Sequence, residues 1–245
     1  MTTAREPRQA EAHHPPGGHH HRDVSGGWLR PVVFGAMDGL VTNVSLIAGV
    51  GGASATQHFI VLTGLAGLAA GAFSMAAGEY VSVSSQNELV GSEVNKERTE
   101  LENNPEAEQK ELAAMFRARG VDAKVAGEVA EQISRHPDHA LNVHVQEELG
   151  VDLHDLPSPL VAAGGSLASF AVGAIIPLLP YLAGANSLWL ALVLAALAAI
   201  AGGGAVAKIT DRPVWKGAAR QLLLGALAAA LTFGIGHLVG GAVSG

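Results

Sequence analysis

The chain has 245 residues, of which 49% are apolar and only 15% charged, with 31 glycines and no cysteine. That composition is too apolar for an ordinary soluble domain and fits a polytopic membrane protein. The lack of cysteine excludes disulfides and thiolate metal sites, and a net charge of -7 without a basic run argues against a nucleic-acid partner.

Residues 1–27 combine Pro and Gly with His13, His14, His19, His20 and His21. They hold no apolar h-region, so the expectation is a disordered tail without a cleavable signal peptide. A His tract of this kind serves either as a loose metal-capturing tail or as a variable tail with no such role. Apolar windows follow at about 31–52, 59–83, 160–182, 188–207 and 218–243. Each approaches or exceeds the roughly 20 residues that cross a hydrocarbon core as helix. The predicted fold class is therefore an all-α membrane protein with five transmembrane helices, spans 1–2 within residues 28–92 and spans 3–5 within 157–245. A turn at Gly184-Ala185-Asn186 joins spans three and four.

The 15 Lys and Arg residues fall in three places: the tail through Arg30, the stretch from Lys96 to Arg135, and the stretch from Lys208 to Arg220. Under the positive-inside rule these are cytoplasmic, which puts the C-terminus on the opposite side. Span two carries Gly64, Gly67, Gly71 and Gly78, a spacing that serves packing within the chain and a homodimer interface equally well. After Glu79 no proline occurs until Pro105, so span two is expected to project into the cytoplasm as one long helix.

Residues 93–156 form an acidic insert; 16 of the 22 Asp and Glu lie between Glu88 and Asp155. It reads as three short amphipathic helices: about Glu93 to Glu102, then Pro105 to about Arg119, then a third opening at Asp122 with Val125, Val129 and Ile133 in register. A further turn or two is expected from His139 to Leu149. Glu97 and Glu100 on the first helix, and Glu108 and Glu111 on the second, are three apart and so share a face. Folded together across the Pro105 turn, these faces make a four-carboxylate cluster that repels itself unless a cation neutralises it. His144 and Glu148, four apart, add imidazole and carboxylate, a set suited to Fe(II), Mn(II) or Zn(II). The competing reading of each glutamate pair is a solvated helix face, and Glu102, Glu106, Glu128, Glu131 and Glu147 are expected to be ordinary surface.

Two acids lie inside apolar runs, Asp38 in span one and Glu79 at the end of the run in span two. An ionisable side chain in a span costs about 2.5–3.5 kcal/mol on insertion scales, which marks it as a candidate functional site. Met75 stands one helical turn before Glu79 on the same face, and oxygen with thioether suits a divalent transition metal. For Asp38 the structural alternative is a hydrogen bond to Asn43 or a backbone group.

The stretch Asp38-Gly39-Leu40-Val41-Thr42-Asn43, with Gly71-Ala72-Phe73-Ser74-Met75-Ala76-Ala77-Gly78-Glu79-Tyr80 and Ser82, Ser85 and Gln86 after it, resembles the vacuolar iron transporter family. The likeness runs from about Trp28 to the C-terminus, takes in Gly173 to Pro177 and Pro180, and suggests a bacterial-type member. It implies a homodimer in the bilayer, with a metal pathway between the two first spans. It further implies export of cytosolic Fe(II), in some members Mn(II), against inward proton movement; for a bacterial member the expected location is the inner membrane. The pathway ligands fall on Asp38 and Met75, the insert ligands on Glu97, Glu100, Glu108, Glu111 and Glu148. His144 and Val145 stand where some relatives carry methionines. The metal is cargo on this reading; no tightly bound cofactor and no enzymatic activity are expected. The competing readings are a Mn(II)-selective exporter, and a membrane-anchored metal buffer, sensor or ferroxidase. A di-iron site wants Glu-x-x-His pairs, and no glutamate of the insert has a histidine three residues later.

Overall fold

The computed structural model describes residues 29–243, so the His tract at 13–21 lies outside the described residues. Within that range every regular element is a helix, and five helices are long and apolar enough to cross a membrane. Helix α1 runs Leu29–Gly52 and α2 Gln57–Asn103. Thr56 caps α2 by accepting a hydrogen bond from the Phe59 N–H.

At 1.5 Å per residue the 47 residues of α2 extend for about 70 Å, more than twice the hydrocarbon thickness. Its apolar first half can span the bilayer, and its charged second half must stand outside it. Glu97, 40 residues beyond Gln57, lies about 60 Å along the helix, well clear of the lipid. The single long helix expected of span two is thus observed, with one correction. Glu93 to Glu102 is not a separate insert helix but the end of α2, because nothing in the sequence between Glu79 and Asn103 breaks the hydrogen-bond ladder.

Asn104 and Pro105 make the break that does occur, and three helices follow: α3 Pro105–Ala118, α4 Ala123–Ser134 and α5 Pro137–Glu148. Gly120, at φ +92°, ends α3, and Asp122 caps α4 by accepting from the Lys124 N–H at 2.9 Å. The stretch expected to give only a turn or two is a full 12-residue helix, α5, started by Pro137.

The third span is α6 Pro159–Ile175, continued through a 3₁₀ turn at Ile176–Leu178 into α7 Leu179–Leu182. Pro177 and Pro180 lack the N–H groups that would continue the ladder, which accounts for the tightening. Asn43, buried in α1, donates from Nδ2 to the carbonyl of Ala174 at 2.6 Å, just before the break. Helices α8 (Leu188–Ile209) and α9 (Val214–Val243) complete the bundle.

Helix α1 is the centre of the membrane part and packs against α6, α9, α2 and α8. The approach to α6 is backbone on backbone: a Cβ on Gly39 would overlap the Phe170 carbonyl, and one on Gly173 the Ala36 carbonyl. The glycine spacing of α2 is largely used inside the chain. Gly64 lies against Leu178, Gly67 against Leu46 and Gly71 against Phe170, whereas Gly78 faces open space.

Candidate metal centre

The insert is organised around a small core in which α2 and α5 face each other through Val94, Leu141 and Val145, with Val90 and Leu101 packed alongside. Val90, Val94, Glu97 and Leu101 follow one another at three- and four-residue steps, so Glu97 occupies a position on the apolar face of α2. On α5, Leu141, His144, Val145 and Glu148 repeat the pattern and turn His144 inward. On α3, Glu108 precedes the fully buried Leu112 by one turn. Three chemically expensive side chains therefore stand at core positions of three helices.

They meet. Ligand atoms of Glu97, Glu108 and His144 all lie within 4.8 Å of one another, and among the described residues they form the one such group of three acids or histidines. His144 Nδ1 is 3.0 Å from Glu97 Oε1, 3.2 Å from Glu148 Oε1 and 3.9 Å from Glu108 Oε2. The imidazole is fully buried, the Glu97 and Glu108 carboxylates nearly so, and Glu148 about a third exposed at the rim. The hydrogen bond of Nδ1 goes to Glu148. Glu97 Oε1, although within ion-pair distance, has no aligned donor, and His144 Nε2 is buried without a partner.

The electrostatics follow from this crowding. Burial, and after it the charge of Glu148, push the Glu97 carboxyl up to about 7; His144 pulls the other way, and Glu108 and Glu100 add to the rise. The Glu108 carboxyl is also raised, by burial and then by Glu111, with His144 opposing and Glu100 and Glu148 contributing. Carboxylates held this close cannot all ionise cheaply unless a cation shares the site. A divalent ion would neutralise the group, give Glu97 Oε1 a partner, and find oxygen and imidazole donors appropriate to Fe(II), Mn(II) or Zn(II).

Of the four-carboxylate cluster expected from sequence, one member of each pair faces the centre. Glu100 and Glu111 are exposed and reach it through their field alone. Glu147, expected as ordinary surface, is largely covered and paired with Arg119 at 2.6 Å, tying α5 to the end of α3. Its neighbour Glu148 carries the more obvious i,i+4 signal, and only the tertiary placement of Arg119 beside Glu147 distinguishes the two.

In the membrane part the candidates are more dispersed. Asp38 lies about 14 Å along α1, on the face that the other described residues leave uncovered, with Phe34 one turn before it. Thr42 stands one helical turn further along the same face. Asn43 is turned away toward α6, so the alternative pairing of Asp38 with Asn43 is not formed. Met75 is half-buried against the cluster of Ala72, Phe170 and Ala174, and Glu79 is half-exposed one turn further along α2. Among the described residues, Asp38 and Glu79 belong to no group of three potential ligands. A cavity of about 600 Å³ between α1, α8 and α9 is lined by apolar side chains such as Leu40, Val44, Ala195 and Phe233 and contains none of the candidate ligands.

The chain is similar to curated proteins over most of its length. It is 40% identical to a vacuolar iron transporter of Acanthamoeba castellanii, over 90% of this chain and 83% of that protein. It is 37% identical to vacuolar iron transporter homolog 1 of Oryza sativa subsp. japonica (87% and 74%) and 29% identical to vacuolar iron transporter 1 of the same plant (90% and 90%). The model of the VIT family matches residues 29–237, which takes in the first four candidate spans, the whole insert and most of the fifth span. By that match and by these relatives, this multi-pass membrane protein belongs to the VIT family.

Proposed function

We propose that the protein is a metal-ion transporter, not an enzyme, and that it moves cytosolic Fe(II), with Mn(II) as the other candidate cargo, out of the cytoplasm in exchange for protons. The observation that carries this reading is the convergence of Glu97, Glu108 and His144 on one buried point outside the lipid. On this reading the insert is cytoplasmic, as the distribution of Lys and Arg suggests, and the membrane is the bacterial cell membrane. Glu97, Glu108 and His144, with Glu148 at the rim, take the ion from solution. Glu100 and Glu111 concentrate cations around the entrance by their charge.

Asp38, Met75 and Glu79 then serve the passage through the membrane. The uncovered face of α1 around Asp38 suits a second copy of the chain, and in such a homodimer each ligand appears twice. Two Asp38 carboxylates facing one ion would hold at least one proton when the ion is absent. Metal entry expels that proton, and proton entry expels the metal, which is the exchange that antiport needs.

The test is uptake of Fe(II) and Mn(II) into proteoliposomes with and without a pH gradient, wild type beside Asp38→Asn. Gradient-driven flux in the wild type and its loss in the variant support the reading and rank the two metals. Tight binding without flux in the wild type would reassign the protein to metal buffering, and full proton-coupled flux in Asp38→Asn would remove Asp38 from the mechanism.

A further inference from the structure

Helices α8 and α9 cross at close quarters, since a Cβ on either Gly203 or Gly217 would overlap the backbone of the other. The crossing brings the ends of both helices together around a tight turn. Thr210 bonds back to the Val206 and Ala207 carbonyls, Asp211 adopts φ +51°, and the Arg212 N–H donates to Ala207 at 2.7 Å. Four cations, Lys208, Arg212, Lys216 and Arg220, are carried on this rigid corner, and all four are exposed. Among the described residues none is ion-paired, and Asp211 is the one acid near them in sequence.

Arg220 is the informative member. It lies six residues inside α9, about 9 Å from Val214, and shares its face with the exposed Leu223, Leu224, Leu227 and Leu231. That stripe is apolar and faces the lipid. A guanidinium at its head is stable only if it reaches back to a polar partner, and among the described residues no side chain pairs with it. Lys216, four residues earlier on the same face, stands with Nζ 5.6 Å from the ring centroid of Trp215, itself exposed as an interfacial aromatic would be. The positive end of the α9 dipole adds to the field.

We propose that the α8–α9 corner is a binding site for the phosphate headgroup of an anionic phospholipid, with Arg220 and Lys216 gripping the phosphate and Arg212 and Lys208 completing the field. Guanidinium and phosphate oxygen pair bidentately, and basic pockets at the polar end of spanning helices are built for such headgroups. The acidic insert has the complementary charge too, but its contacts are internal: α3 and α5 pack on α2, and α4 packs on α3 and α5. Lipid is the occupant that the position of Arg220 selects.

The full chain is reconstituted in nanodiscs of phosphatidylcholine containing a minor fraction of phosphatidylglycerol, and the lipid retained by the protein is measured by native mass spectrometry. Wild type is expected to enrich phosphatidylglycerol over the bulk ratio. Arg220→Gln is expected to lower that enrichment about fivefold, the share of one juxtamembrane cation. Arg212→Gln/Lys216→Gln/Arg220→Gln is expected to bring it to the bulk ratio, while Lys110→Gln/Arg117→Gln/Lys124→Gln in the insert leaves it unchanged. No enrichment in the wild type, or an equal loss in the insert variant, overturns the proposal. If the triple variant fails to insert, the single Arg220→Gln result decides. Unchanged enrichment with an insert newly open to protease would assign the cations to the insert instead.

Discussion

A carboxyl raised toward neutrality makes metal binding at the candidate centre pH-dependent, and the size of the effect can be worked out. With Glu97 at about 7, the group is about 10% ionised at pH 6 and about 90% at pH 8. A divalent ion needs the carboxylate form, so the proton competes with it, and the apparent affinity should fall about tenfold from pH 8 to pH 6. Burial and the charge of Glu148 cause the shift, so Glu97→Gln should bind more weakly at pH 8 but lose much of that slope. Mn(II) binding to the full-length protein in detergent, followed by loss of the free-ion EPR signal across this range, measures both quantities. At pH 7 calorimetry in buffers of different ionisation enthalpy should register about half a proton released per ion from this group. A wild-type affinity that is flat from pH 6 to pH 8, or a Glu97→Gln slope equal to the wild-type slope, would refute the buried-carboxylate argument.

The same shift fixes the sign of the pH dependence in the metal-free protein. A carboxyl raised from 4.5 to about 7 binds protons more tightly when folded, so the insert is stabilised at low pH and loses that stability as pH rises from about 4.5 to 7. Hydrogen exchange in α3 and α5 should therefore quicken between pH 5 and pH 8 after correction for intrinsic rates, and Mn(II) should reverse the change. Leu112 is fully buried beneath Glu108, and Leu112→Ala should cost about 2–5 kcal/mol; in a core this small, the measurable result is loss of protection across α3 together with loss of metal binding. Gly173→Leu forces a side chain into the Ala36 carbonyl and should prevent α1 and α6 from closing, read as loss of the monodisperse peak in fluorescence-detected size exclusion. Arg119→Ala should be mild, within about 1 kcal/mol, because the guanidinium is more than half exposed; thermal shift of the insert checks it.

The spans, their number and the helical insert were legible in the sequence, because membrane insertion responds to the local length and polarity of a segment. Pro105, Gly120, Asp122 and Gly184 marked helix ends for equally local reasons, the missing N–H of proline and the caps and left-handed turns of the others. The candidate ligands Asp38, Met75 and the glutamate pairs stood out as residue types in the wrong or the repeated place. Tertiary structure alone decided which of them meet. Glu97 and Glu100 differ by about 60° around α2, as Glu108 and Glu111 do around α3. Sequence spacing puts each pair on one side without saying which member turns inward. That choice belongs to Val94, Leu112, Leu141 and Val145, whose burial sets the rotation of α2, α3 and α5 and with it drives Glu97, Glu108 and His144 together. The glycines of α2 show the same division of labour. Their spacing announces close packing, but only the positions of Leu46, Phe170 and Leu178, brought in from α1, α6 and the 3₁₀ turn, direct it into the chain's own core.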